Sequence, residues 1–158
     1  MPLGGPNSQA SELFAFSALG IRARDVVLSE EELGTMTPGT VPEIVARLDG
    51  SLVSVEVKRI PENRAFMDFK KIGCRPFWHW NGTVRSGLTK MHAGLLDVLA
   101  ARGIKPRRHI LVLLVPATMG GTEMARIGHL AGRVHADCRA ACLLRAEIRL
   151  LRAPPSVF

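Results

Sequence analysis

The sequence predicts an α/β fold: one domain of 158 residues in which helices cover both faces of a central mixed sheet. Three observations predict it. Residues 42–58 form two alternating, β-rich runs about Asp49-Gly50, a dipeptide suited to the positive φ angles of a two-residue turn, and so read as an antiparallel hairpin. His109 to Val115 is an unbroken apolar run of strand length, as expected for a central strand buried on both faces. Segments with apolar residues at helical spacing lie before, between and after these strands, which gives the sheet helices to pack against.

The elements follow in order. Ser8 to Leu19 is expected to be a helix with a Ser8 cap and a Phe16/Leu19 stripe that Glu12 joins. Asp25 to Leu28 fits a first strand, and Glu30-Glu31-Glu32 with its Gly/Pro-rich sequel reads as a loop. The hairpin supplies the next two strands. Beyond Pro61, Glu62 to Ile72 is expected as a short helix closed by Gly73, followed by the aromatic segment Phe77-Trp78-His79-Trp80. A long helix is then expected from a Thr83 cap to Arg102, with Val84, Leu88, Met91, Leu95 and Val98 on one stripe. After the central strand come a helix from about Thr122 to Ala140, with Ile127, Leu130, Ala131, Val134 and Cys138 inward, and an outer strand from Leu144 to Leu150. The order is α-β-β-β-α-α-β-α-β within a single domain, 1–158, whose core spans about 8–116 and whose C-terminal helix and strand span about 122–151.

The turn fixes the pairing of the hairpin. Counting outward from Asp49-Gly50, Leu48 opposes Ser51, Arg47 opposes Leu52, Val45 opposes Ser54 and Glu43 opposes Glu56. Strand side chains alternate, so Ile44, Ala46, Leu48, Val53, Val55 and Val57 share an apolar face that must be core, while Glu43, Glu56 and Lys58 share the other. Directly opposed residues have Cβ atoms about 5 Å apart, and like charges there repel unless a cation neutralises them. Mg²⁺ suits the place, because it prefers oxygen ligands and is commonly held by one or two carboxylates plus substrate phosphate. Lys58 points into the same space and offers a point charge to a phosphate or a water. On spacing alone, the wet solvent face of an ordinary hairpin accounts for these residues equally well. Val45 and Leu52 on that face predict partial cover, and Pro42 fits the first position of a strand, where no ladder donor is needed.

Pro42-Glu43, a short hairpin, and then Glu56-Val57-Lys58 resemble the core motif of the PD-(D/E)xK nuclease superfamily, also called restriction endonuclease-like. The resemblance implies an α/β/α sandwich and a Mg²⁺- or Mn²⁺-dependent phosphodiesterase acting on DNA. In that family two acids hold the metal, the lysine positions or polarises the attacking water, and cleavage leaves a 5′-phosphate. Carried onto this chain, the catalytic set is Glu43 in place of the usual Asp, Glu56 as the acid of the Glu-x-Lys pair, and Lys58 as the lysine. Glu12 resembles the first-helix glutamate that often reaches the metal; its alternative is a solvated first-turn acid favoured by the helix dipole. Glu in place of Asp is one methylene longer, a departure that bears on metal geometry more than on fold. Asp49 also meets a loose Asp…Glu-x-Lys pattern, but seven residues of strand at ~3.3 Å each put it roughly 23 Å from Glu56, so it is a turn residue. The specific motif is confined to the hairpin.

Composition agrees with a polyanionic partner. The formal charge is +7 and the pI about 10.2, and phosphates neutralised by Lys or Arg release counterions. Lys70, Lys71, Arg75 and Arg85 are the expected DNA-backbone contacts, with scattered solvation as the alternative for each. Trp78 and Trp80 could stack on bases or cap the core, and His79 between them is the kind of residue usually found structural. His135, Cys138 and Cys142 share helical spacing and could form a zinc set with Cys74, although packing is favoured because there is no Cys-x-x-Cys and the run continues an apolar stripe.

Three cysteines, an odd number, argue for reduced thiols, and no apolar run approaches a membrane span, so a soluble cytoplasmic protein is expected. The chain contains no tyrosine, which excludes a tyrosine nucleophile, and no P-loop, His-Glu-x-x-His or Gly-x-Ser-x-Gly motif. A metal-dependent deoxyribonuclease is the reading that survives, acting alone, as a homodimer or in a larger DNA-processing complex. The alternative is a catalytically inactive protein of the same fold that binds nucleic acid or acts as an assembly module. An enzyme unrelated to nucleic acids, whose hairpin matches by chance, is a third possibility.

Overall fold

Asp49 and Gly50, at φ 51° and 80°, turn the chain back on itself with the positive angles that a type I′ turn requires. The computed structural model describes the backbone of residues 6–60 and 78–158, and side chains of 9–60 and 82–158. In it, β2 (Ile44–Leu48) and β3 (Ser51–Arg59) pair antiparallel with Leu48 opposite Ser51, Arg47 opposite Leu52 and Val45 opposite Ser54, the register the turn dictates. Glu43 lies one residue ahead of β2, where its N–H still donates to the Val55 carbonyl at 2.9 Å.

The apolar run becomes β4 (Arg108–Pro116), parallel to β3, and β5 (Arg145–Ala153) lies parallel to β4. β1 (Val26–Ser29) pairs antiparallel with β2, so the five-stranded sheet has the order β1-β2-β3-β4-β5. A strand flanked on both sides and covered on both faces must be apolar throughout, and Ile110 to Val115 are wholly buried.

Helices cover both faces. α1 (Pro6–Leu19) packs Ala15, Phe14 and Phe16 on the face formed by Ile44, Ala46, Val53, Val55, Val57, Ile110, Val112 and Leu114. On the opposite face, α3 (Trp78–Leu88) and α5 (Gly121–Cys138) bury Val84, Leu88, Ile127, Ala131, Val134 and Cys138 against Leu111, Leu113 and Val115. α2 (Glu30–Met36) and α4 (Ala93–Ala101) close the rest of that face, with Leu33, Leu95 and Leu99 around Val45 and Leu28. No helix among the described residues is long and apolar enough to cross a membrane.

Several expectations are corrected. The acidic run Glu30–Glu32 is the first turn of α2, not a loop: Ser29 Oγ accepts from the Glu32 N–H at 3.2 Å, and the Glu32 carboxylate lies 3.4 Å from the Ser29 N–H in return. A capping box and the positive end of the helix dipole make three acids stabilising there. The single helix expected from Thr83 to Arg102 is two helices, because His92 Nδ1 accepts from the Leu95 N–H at 3.2 Å and starts α4 afresh. The break rephases the stripe, so Leu99 rather than Val98 completes the buried row after Leu95. Trp78, His79 and Trp80 open α3, which therefore begins ahead of the expected Thr83 cap. The helix expected over Glu62–Ile72 lies outside the described residues, as do Lys70, Lys71, Cys74 and Arg75.

Gly87 shows how closely α3 lies on the sheet. A Cβ there would stand 2.5 Å from Leu111 Cδ1 and 3.1 Å from Cδ2, and Leu111 is fully buried with nowhere to move. Gly87→Ala is therefore expected to cost about 1–3 kcal/mol of stability, read from denaturant unfolding. A smaller loss would mean that α3 can lift away. The same turn is tied down through His109: its Nε2 donates to the Gly87 carbonyl at 2.7 Å, leaving Nδ1 to accept from the Ser54 hydroxyl at 2.7 Å. Burial lowers the His109 pKa, so the ring is held neutral.

Candidate active site

β2 begins opposite Val55, midway along β3, so the residue that precedes β2 lies beside Glu56, the next residue of β3. Glu43 and Glu56 are close enough for their carboxyl groups to act on each other, as the hairpin register predicts. Two more acids join them. Glu12 of α1 and Glu30 of α2 offer carboxylate oxygens that lie with one from Glu43 within 4.8 Å of one another, and this is the acidic group among the described residues that could hold a metal ion. Each comes from a different element: α1, α2, the approach to β2, and β3.

The electrostatics are those of crowded acids in a dry place. Burial, the hydrogen-bonding Glu30 carboxyl, the charge of Glu56 and the contact with Glu12 together push the Glu43 pKa up to about 11. Glu43 thus carries its proton at neutral pH when no cation is present. Glu56 is almost wholly buried, at 2 % side-chain exposure, and is ion-paired through Oε2 to Lys58 Nζ at 3.8 Å and to Lys90 Nζ at 3.1 Å. Glu43 Oε2 and Glu56 Oε1 are buried without a donor among the described residues. Buried carboxylate oxygens are normally satisfied, so two orphans in one cluster are atoms that a cation could satisfy.

The expected residues are partly united here. Glu43 lies beside Glu12 on one hand and Glu56 on the other, and Lys58 pairs with Glu56; Glu56 is not one of the three acids grouped within 4.8 Å. Arg85 does not join them: it is exposed on α3 and its charge acts on Cys142, beside the C-terminal end of α5. Sequence reasoning missed Glu30 and Lys90. Glu30 was hidden by reading its acidic run as a loop, although Ser29-x-x-Glu32 is a capping-box signature that places Glu30 in a first helical turn. Lys90 was absorbed into a continuous helix, and His92 was the signal that the helix breaks there.

Of the second chemical site weighed from sequence, Cys138 is packing, and Cys74 lies outside the described residues. Cys138 is buried in the core between α5 and the sheet, and its Sγ lies 3.8 Å from that of Cys142 in a thiol hydrogen bond. Burial and Cys138 raise the Cys142 thiol to about 11, against a smaller opposing effect of Arg85. His135 and Cys142 instead line a cavity of about 540 Å³ between α5 and the start of β5, with Arg139 and Arg145 at its rim.

No family model, curated protein or solved structure matches this chain. What the site can do therefore rests on its residues. An all-oxygen donor set with two orphaned buried oxygens suits a hard divalent cation, and adjacent ammonium groups suit an anion brought up to it.

Proposed function

We propose that this chain is a Mg²⁺- or Mn²⁺-dependent deoxyribonuclease that hydrolyses DNA phosphodiester bonds by two-carboxylate and lysine chemistry, on a restriction endonuclease-like fold. The observation that carries the reading is the meeting of Glu43 with Glu56 at the end of the hairpin, with Lys58 Nζ 3.8 Å from the Glu56 carboxylate. A mixed sheet with helices on both faces agrees with the fold that the resemblance implies.

Glu43, Glu56 and Glu12 would hold the ion, which fits because it would give Glu43 Oε2 and Glu56 Oε1 the partner they lack. When bound, the cation would supply Lewis-acid polarisation of a phosphate oxygen and a more acidic water. Glu43 must first release its proton to become a ligand. Lys58, partly exposed at the rim, would orient the attacking water and offset the negative charge that builds on the phosphate as the P–O bond breaks. Arg59 is exposed at the next position and would bind the DNA backbone, and Arg85, exposed on α3, would add a contact away from the carboxylates; Lys70, Lys71 and Arg75 are proposed as backbone contacts from the sequence alone.

One observation favours a second reading. The site neutralises itself without metal, Glu43 by keeping its proton and Glu56 by its two lysines, as a catalytically silent nucleic-acid-binding protein of this fold would. The deciding experiment is cleavage of plasmid, branched and single-stranded DNA in Mg²⁺, Mn²⁺ or EDTA, beside Lys58→Ala. Metal-dependent cutting that is lost in Lys58→Ala is the expected result. DNA binding that persists in EDTA with no cutting in either metal would establish the silent binder. Absence of DNA affinity at moderate salt would remove both readings.

A further inference from the structure

Lys90 lies outside the Glu-x-Lys motif, yet it is the lysine nearer to the buried acid. Its Nζ is 3.1 Å from Glu56 Oε2, against 3.8 Å for Lys58, and its side chain is 11 % exposed against 26 %. Its aim is set from both sides. Three residues before it, the Gly87 carbonyl is bound by buried His109, and Gly87 itself lies against Leu111. Just after it, Met91 is buried and His92 caps α4. The backbone between two anchored helices thus delivers one ammonium to the one nearly inaccessible carboxylate of the cluster.

We infer that Lys90 is a tethered counter-cation that competes with the divalent ion for Glu56 and so sets the metal affinity of the site. The inference rests on the metal-centre reading above. A carboxylate buried to this degree needs a positive partner, and Lys90 supplies it in the metal-free protein. Both ammonium groups face Glu56 Oε2 and leave Glu56 Oε1 and Glu43 Oε2 unmet, whereas a divalent ion held by the two carboxylates would meet both. The incoming ion at Glu56 Oε1 and the ammonium at Oε2 repel each other at this range, so binding favours a Lys90 moved off Glu56. The displaced charge then stands beside the ion, where it can pair with a docked phosphate as a second cation beside the more exposed Lys58.

The test is Mn²⁺ binding to the full chain by calorimetry at fixed pH and salt, comparing the parent with Lys90→Met, Lys90→Gln, Lys90→Arg and Lys58→Met. Lys90→Met and Lys90→Gln should each bind Mn²⁺ roughly tenfold more tightly than the parent, and Lys90→Arg should stay within about threefold of it. Lys58→Met should gain less than either neutral Lys90 variant. In EDTA, Lys90→Met should melt below the parent, with Mn²⁺ recovering more of its Tm than it adds to the parent. If Lys90→Met does not fold without metal, Lys90→Gln, whose amide still donates to Glu56, carries the comparison. Equal or weaker Mn²⁺ binding by the neutral variants of a parent that does bind would overturn the role of Lys90 alone. A parent that binds no Mn²⁺ would overturn the metal-centre reading and this inference with it.

Discussion

Glu56→Gln is expected to abolish metal-dependent cleavage, lowering kcat/KM by roughly 10³-fold or more, because it removes the buried carboxylate that Lys58 and Lys90 both face and that the proposed ion would use as a ligand. DNA binding in EDTA should change little, since Glu56 is buried and backbone contacts come from exposed cations. The same substitution reaches stability. Lys90 keeps a hydrogen-bond acceptor in the Gln amide but loses its counterion, and unfolding in denaturant should show a loss of about 1–3 kcal/mol. Unchanged cleavage by a folded Glu56→Gln protein would remove Glu56 from the chemistry.

The second large effect is a pH dependence with an unusual sign. Glu43 titrates at about 11 when folded, against an ordinary value of 4.5. Between those values the folded chain holds a proton that the unfolded chain has released. Metal-free stability is therefore complete below about pH 4.5 as far as this group is concerned, and is lost as pH rises toward about 11. The folding equilibrium should weaken by up to about tenfold per pH unit from this group alone. Glu43→Gln, which is permanently neutral, should flatten that fall in a series of melting curves taken in EDTA. Mn²⁺ should act in the opposite sense, since it must displace the Glu43 proton and so bind more tightly as pH rises. A metal-free Tm that holds level or rises from about pH 5 to about pH 9, with the same profile in Glu43→Gln, would contradict the protonated state.

The hairpin was the most legible part of the chain because its geometry is local. Asp49-Gly50 dictates the turn, the turn dictates the register, and a period of two then assigns every side chain to a face. The central strand was legible because six consecutive apolar residues, Ile110 to Val115, leave no solvent face. What was lost turned on single side chains that cap helices. Ser29 makes a helix of an acidic run, and His92 divides what the apolar stripe alone describes as one helix. Both capping residues also govern the site, one by placing Glu30 near Glu43 and the other by ending the connection that carries Lys90. The convergence of Glu12, Glu30 and Glu43 is a tertiary fact. Glu12 offered only its helical position, and nothing in the spacing of Glu30 announces a partner 13 residues further on.

The most direct test of the central claim is a crystal of the chain grown with Mn²⁺ and examined by anomalous scattering. The account predicts a peak bridging the Glu43 and Glu56 carboxylates, within reach of Glu12, with Lys90 moved off Glu56. A map with the cluster empty at saturating Mn²⁺, or with the ion held elsewhere, would contradict it.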